Sequence, residues 1–237
     1  MSVPGRRAMV LAAGLGVRMR PLTADKPKPL IEISGRPLIA YAFDRLRAAG
    51  CERAVVNIHY RPEQIVAWAD AQTRPEIIVS DERSELLDTG GGIVKALPLL
   101  GDEPFFVLNS DSFWLDGARP ALERLRDSWA EAEMDCLLLL CARDRTIGFD
   151  GEGDFTLDTH GRVARRKPSG DNALVYIGCY LVHPRLFRGA PCGKFSMNLL
   201  WDQSIAQGRL YGIAHDGQWL HIGTPEALAL AEAALAD

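Results

Sequence analysis

Two glycines, two arginines and two lysines in MVLAAGLGVRMRPLTADKPKPL (residues 9–30) have the types and spacing for phosphate chemistry. An apolar run, residues 9–13, feeds Gly14-Leu15-Gly16 as a strand feeds a phosphate-binding turn. Glycine lets backbone N–H groups come close to an anion. Arg18 can fork onto a polyphosphate, and Lys28, stiffened by Pro27 and Pro29, can place a point charge on it. The dinucleotide and P-loop templates both fail. Met19 stands where the first wants its third glycine, and no Gly-Lys-Ser/Thr follows for the second.

Three more places carry chemistry. LLDTGGGIVKALPLL (residues 86–100) opens a helix on Gly90, Gly91 and Gly92. Backbone donors and the positive dipole end are available there. Glycine is costly in a helix, so three in a row predict close approach by a flat ligand such as a nucleobase or ribose. The plainer reading is a tight turn into the helix, and Lys95 is expected on its exposed face. In VLNSDSFW (residues 107–114) Asp111 follows a buried strand, where a carboxylate can hold Mg²⁺ against phosphates. Lys167 precedes a proline at the end of a hairpin strand, within reach of a second phosphate. His221 lies in a short strand before Gly-Thr-Pro, where histidine is more often packed than a ligand. Thr224 reads as the N-cap of the last helix, with Pro225 at its first position.

The elements that must position these residues alternate. Strands are predicted at residues 7–13, 54–58, 76–80, 104–108 and 134–141, and helices at 37–50, 61–70, 92–100 and 117–129. This order implies a mostly parallel, doubly wound sheet. The pattern changes after Cys141. A hairpin about His160-Gly161, a strand at 173–182 and a helix at 196–208 follow, then strands at 210–214 and 219–222 and a helix at 225–234. No linker, repeat or low-complexity tract divides the chain, so residues 1–237 read as a single domain.

With 47% hydrophobic and 24% charged residues, the 237-residue chain is of ordinary globular composition. The net charge of −4 argues against a nucleic-acid binder. No apolar run approaches the roughly 20 residues that cross a bilayer. The start, MSVPGRR, lacks an apolar signal core, so a cytoplasmic protein is expected. The five cysteines include no C-x-x-C pair, which points to reduced structural thiols.

LAAGLGVRMRPLTADKPKPL resembles the signature of the sugar-1-phosphate nucleotidyltransferases, L-A-(A/G)-G-x-G-x-R-(M/L)-x-P-L-T followed by P-K-P-L. The likeness continues through GRPLIAYAFDRL, NSD, RRKP, YIGCYLV and GTPEAL. Within that family, LLDTGGGIVKALPLLGDEPFFVLNSD is most similar to the N-acetylmuramate-1-phosphate uridylyltransferases of peptidoglycan recycling, which are also short and lack an acyltransferase tail. The resemblance implies an α/β, Rossmann-like fold with a mostly parallel, mixed sheet and flanking helices. Residues 1–141 would be its nucleotide-binding half and residues 142–237 its sugar-binding half.

The implied reaction joins an NTP, UTP favoured, to a sugar-1-phosphate, giving an NDP-sugar and pyrophosphate. By position in the family, Arg18 would stabilise the leaving pyrophosphate and Lys28 would contact the α-phosphate. Leu11, Ala13, Gly14, Gly16, Gly90, Gly91, Gly92 and Asn109 would hold the nucleotide. Lys167 would hold the sugar phosphate, with Arg166, Asn172 and Gly178 on the sugar side. Asp111 would bind Mg²⁺, with Mn²⁺ as the alternative, and His221 takes the position of a second metal ligand. The expected state is a monomer or small homo-oligomer, with neither nucleic acid nor membrane as partner.

Two positions depart from the family. Its Glu before the second lysine is Arg166 here, a cation that would suit a sugar bearing a carboxylate such as the lactyl ether of muramic acid, or else faces solvent. Its W-x-D-x-G-T has His221 for the Asp, and imidazole is less suited to Mg²⁺ than carboxylate. Either His221 binds Mn²⁺ or a metal-bound water, or Asp111 holds the metal with the substrate phosphates. The rival readings are a mannose-1-phosphate guanylyltransferase or another hexose-1-phosphate nucleotidyltransferase, a phosphocholine cytidylyltransferase, a dinucleotide oxidoreductase, and a non-catalytic NDP-sugar-binding regulator.

Overall fold

The structure, a computed structural model, describes residues 3–167 and 173–236. In chain order the elements are β1 (Arg7–Leu11), β2 (Glu32–Ile33), β3 (Arg36–Pro37), α1 (Leu38–Ala48), β4 (Arg53–Ile58), α2 (Pro62–Asp70) and β5 (Glu76–Asp81). Next come α3 (Asp88–Leu100), β6 (Phe105–Asn109), β7 (Ser112–Leu115), α4 (Ala121–Asp127), β8 (Cys136–Ala142), β9 (Thr146–Ile147), β10 (Phe155–Leu157) and β11 (Val163–Arg165). β12 (Leu174–Val182), α5 (Asn198–Ala206), β13 (Leu210–His215), β14 (Gln218–His221) and α6 (Pro225–Ala236) complete the chain.

β5, β4, β1 and β6 lie side by side and parallel. β12 runs antiparallel between β6 and β8, and β13 lies parallel to β8. The sheet is therefore mixed and mostly parallel, with the expected hairpin β10–β11 joined to the start of β12. Its strands read as unbroken apolar runs because helices cover both faces. Neighbouring residues alternate sides. Val10, Val56, Phe106 and Leu139 pack with Phe43 and Leu46 of α1 and Leu125 of α4. Met9, Val55, Val107 and Leu138 pack on the other face with Ile93 and Ala96 of α3 and Leu200 of α5.

A second sheet, β7–β14–β9, stands beside the first and is backed by α6. β7 is absent from the sequence reading because only Ser110 and Asp111 separate it from β6, too little to mark a break between two apolar runs. Met19, fully buried, packs with Phe113 of β7 and Leu220 of β14. The residue that breaks the dinucleotide template thus pins the turn bearing Arg18 to the sheet bearing His221. Thr224 Oγ1 accepts from the Ala227 N–H (3.2 Å), the capping expected at α6.

The five cysteines are free thiols, and four are buried. Burial pushes Cys51 up to about 12 and Cys141 to about 11, so neither presents a thiolate. Among the described residues no helix is long and apolar enough to cross a membrane.

His215 makes stability depend on pH. Its Nε2 hydrogen-bonds the Leu115 carbonyl (3.0 Å), so Nε2 carries the proton. The other ring nitrogen is buried without a partner among the described residues. Burial, foremost, holds the imidazole below its ordinary 6.5. Below that value the unfolded chain binds the proton more readily, so stability is full above it and falls on acidification. The thermal midpoint should drop between about pH 7.5 and about pH 5.5. His215→Gln, which keeps an N–H donor and cannot titrate, should shrink that drop. An unchanged drop would contradict the assignment.

Candidate active site

β1 and β6 pair in register Leu11↔Asn109, so the loop after β1 and the turn after β6 open side by side at the carboxyl edge of the sheet. The Ala12 N–H donates to Asn57 Oδ1 (2.7 Å) at the end of β4, and Asn57 Nδ2 donates to Glu82 Oε1 (2.7 Å). Glu82, fully buried, accepts the Leu87 N–H on its other oxygen (3.0 Å). One hydrogen-bonded chain thus ties the first loop to the start of α3.

Gly16 takes a left-handed φ of 63°. Its carbonyl accepts from Thr23 Oγ1 (2.8 Å) and from the Met19 N–H (3.0 Å). A Cβ there would sit 3.1 Å from Lys28 Cβ and from Thr23 Cγ2, whereas one on Gly14 would meet nothing within 4 Å. The N–H groups of Gly14, Leu15 and Gly16 carry no hydrogen bond among the described residues. This is a row of donors of the kind that cradles an anion. Gly16→Ala should cost about 1–2 kcal/mol of stability through the strained φ. Gly14→Ala should leave the denaturant midpoint in place and weaken nucleotide binding, because only a ligand competes for that space. Equal loss of stability in both variants would contradict this division.

Lys28 begins a short turn, Lys28–Leu30, that follows Pro27. Its side chain is 12% exposed and its Nζ is ion-paired with Asp111 Oδ2. His221 stands near this pair, packed against Phe149 (ring centroids 5.8 Å) and Trp219 (5.1 Å). Burial first, then repulsion from Lys28 and Arg18, holds its imidazole below the ordinary value, with Asp111 opposing. Arg18 itself is exposed. Two cations, a carboxylate and a neutral imidazole therefore converge at the mouth of the loop.

Two cavities open there. The first, about 370 Å³, is bounded by the β1 loop, Lys28, Asn57, Leu86 and the 109–111 turn, with Lys194 across from them. The second, about 210 Å³, shares Leu11, Asp88, Thr89 and Asn109 with the first and extends to Asp154, Arg165, Tyr176, Tyr180 and Trp201. The pair forms one bipartite cleft.

Of the residues expected to act, Leu11, Ala13, Gly14, Gly16, Lys28, Asn109 and Asp111 line the first cavity. Gly90, Gly91 and Gly92 do not, and the expectation of close ligand approach is corrected. They lie inside α3, four residues of which precede the predicted start, and they face protein. The N–H groups of Gly90 and Gly91 are taken by the Phe195 carbonyl (2.9 and 3.2 Å). Cβ atoms on the three would meet the Phe195 ring, the Gly193 carbonyl and the Glu82–Asn57 pair. Arg166 faces Glu152 (2.6 Å), Lys167 is exposed, and Gly178 lies in the irregular part of β12; none of the three lines either cavity. Asn172 lies outside the described residues.

The sequence reading missed Asn57, Leu86, Asp88, Thr89, Lys194 and Arg165. Asn57 had a signal, as the polar residue in the otherwise apolar run AVVNI. Lys194 and Arg165 had none in their local sequence.

A hard divalent cation wants oxygen ligands, and Asp111 offers a carboxylate beside the free loop amides. Among the described residues no cluster of three His, Cys, Asp or Glu side chains could hold a metal alone. Mg²⁺ commonly takes one or two carboxylates plus substrate phosphates and waters. The donors here fit that shared kind of site, with Asp111 as the protein's oxygen.

The family model described as Nucleotidyl transferase matches residues 7–237. The N-acetylmuramate alpha-1-phosphate uridylyltransferase of Caulobacter vibrioides is 45% identical over 100% of both chains. The enzyme of the same name from Neisseria meningitidis serogroup B is 36% identical over 96% of this chain and 99% of its own. In fold, the inositol-1-phosphate CTP transferase of T. maritima superposes with a TM-score of 0.78 at 19% identity, over 96% of this chain and 93% of that one.

Proposed function

The chain belongs to the nucleotidyl transferase family, and from that premise we propose that it makes a UDP-sugar and pyrophosphate from UTP and N-acetylmuramate α-1-phosphate. The observation that carries this reading is the bipartite cleft, whose two cavities meet at Leu11, Asp88, Thr89 and Asn109. The base and sugar follow from the full-length likeness to two uridylyltransferases for that sugar phosphate.

An oxygen of the sugar phosphate attacks the α-phosphorus of UTP in line. The new P–O bond forms as the α–β bridging bond breaks, and its electron pair leaves with pyrophosphate. No covalent enzyme intermediate is needed, so catalysis is positioning plus charge neutralisation. The uridine lies against the β1 loop, Asn57 and Leu86, and the free amides of Gly14 to Gly16 face the phosphates. Lys28 leaves Asp111 to contact the α-phosphate, and Arg18 closes on the departing pyrophosphate. Lys167, exposed and outside the lining of both cavities, swings in to meet the sugar phosphate. Residues 1–141 act as the nucleotide half and residues 142–237 as the sugar half. Asp111 would hold Mg²⁺ together with the phosphates; when bound, the ion spreads the charge that develops on their oxygens. The neutral His221 stands beside this carboxylate as a second donor for a softer ion such as Mn²⁺.

The test is a product screen of four NTPs crossed with the 1-phosphates of N-acetylmuramate, N-acetylglucosamine, mannose and glucose, reading pyrophosphate. UTP with the N-acetylmuramate compound should react fastest. Fast turnover only with GTP and mannose-1-phosphate would replace this reading with the guanylyltransferase. Tight binding of UDP-sugars without release from any pair would make the protein a regulator.

A further inference from the structure

We propose that Arg165 recognises the carboxylate of the sugar substrate and so sets the preference for an acidic sugar over a neutral one. The inference rests on the N-acetylmuramate reading and names the residue that enforces it. N-acetylmuramate is an acetamido sugar whose lactyl ether ends in a carboxylate; N-acetylglucosamine shares its ring substituents and lacks that group. A pocket that separates the two needs a fixed cation.

Arg165 ends β11, opposite Phe155 in the β10–β11 register. Its guanidinium lies over the buried Phe155 ring, 4.7 Å from the centroid. Nε donates to Asp202 Oδ1 (2.7 Å), and Nη2 donates to Asn198 Oδ1 (2.8 Å) and to the Asn198 carbonyl (3.4 Å). The stacked ring and these partners hold the plane of the group in the wall of the second cavity. Nη1 has no partner among the described residues, so one edge of the fork is open to a ligand. Asp202 does not close the site to a second carboxylate, because it is 59% exposed and its pull is screened by water.

The adjacent Arg166 makes the contrast. Side chains alternate along a strand, and Arg166 turns away to Glu152. Of the two arginines, only Arg165 lines the cavity, so the carboxylate-reading role weighed for Arg166 passes to its neighbour.

The rest of the cavity suits the same ligand. Asp154 accepts the Tyr176 N–H on Oδ2 (2.9 Å), leaving Oδ1 for a sugar hydroxyl or amide N–H. The Tyr180 hydroxyl, on a side chain 1% exposed that lines the cavity, has no hydrogen-bond partner among the described residues. Tyr176 and Trp201 supply an aromatic wall (ring centroids 4.9 Å) for apolar sugar faces and methyl groups. The carboxylates of Asp154 and Asp88 would repel an acidic sugar if Arg165 were not there to receive it.

The test compares kcat/KM with UTP for N-acetylmuramate-1-phosphate and N-acetylglucosamine-1-phosphate, in wild type and in Arg165→Gln. The wild-type preference for the acidic sugar should fall about 30-fold in the variant, the worth of one charge-assisted hydrogen-bonded contact. Arg165→Lys should restore part of it. Arg165 also ties β11 to α5, so the substrate is altered as well, with the lactyl carboxylate converted to its methylamide. Wild type should prefer the acid over the amide, and Arg165→Gln should treat the two alike. A variant that keeps the wild-type preference, or that still separates acid from amide, overturns the role of Arg165 and leaves the reaction standing. A wild type that turns over neutral hexose phosphates and not N-acetylmuramate-1-phosphate overturns both.

Discussion

Asp111→Asn is expected to lower kcat by about a thousandfold, the order lost when a charge stabilising a phosphoryl-transfer transition state is removed. Asn keeps the size and hydrogen-bonding geometry of the side chain and takes away its charge. Asp111 is 34% exposed, so the amide stays solvated and the fold should tolerate it. Two things fail at once. The 109–111 turn loses its carboxylate, and Lys28, 12% exposed, loses the counter-charge that holds it in place before substrate arrives. The thermal midpoint of the free protein should move little. A pure NDP-sugar binder would keep its ligand affinity in the same variant. A kcat within about tenfold of wild type would remove Asp111 from the chemistry.

Gly91→Ala should damage the fold more than any other single methyl group added near the cleft. The new Cβ would lie 2.2 Å from the Gly193 carbonyl oxygen and 3.1 Å from Leu87 Cβ. The first contact is with backbone, so no side-chain rotation relieves it. Residues 193–195 would have to withdraw, and with them the Phe195 carbonyl that accepts from Gly90 and Gly91. A packed contact and two buried hydrogen bonds are lost together, about 3 kcal/mol. For a chain of this length the thermal midpoint should fall by roughly 6–12 °C. Activity should fall as well, because Lys194, on the displaced segment, lines the first cavity. A midpoint within about 2 °C of wild type would show that the segment accommodates the methyl group and that the tight packing is dispensable.

These two residues also mark how far the sequence could be read. Asp111 was legible because a lone carboxylate ending an apolar strand has one obvious place to go, the carboxyl edge of the sheet. Lys28 and Gly16 were legible for the same reason, lying on the loop that leaves the first strand. The three glycines misled. Their shared property, the missing side chain, signals close approach but does not say of what; here it is the 193–195 segment for Gly90 and Gly91 and the Glu82–Asn57 pair for Gly92, all distant in sequence or on other elements. Met19 shows the opposite case. Its presence excluded a dinucleotide loop, while its packing partners on β7 and β14 could not be read locally. Arg165 and Arg166 were indistinguishable as neighbours in sequence, since strand phase alone decides which one faces the cavity.

The central claim is that the cleft transfers a uridylyl group directly between its two halves. ³¹P NMR of the purified protein with UTP, N-acetylmuramate-α-1-phosphate and Mg²⁺ tests it most directly. The UTP and sugar-phosphate resonances should fall together while UDP-sugar and pyrophosphate rise in equal amounts. Loss of UTP without the diphosphate of a UDP-sugar, or unchanged spectra over many hours, would contradict it.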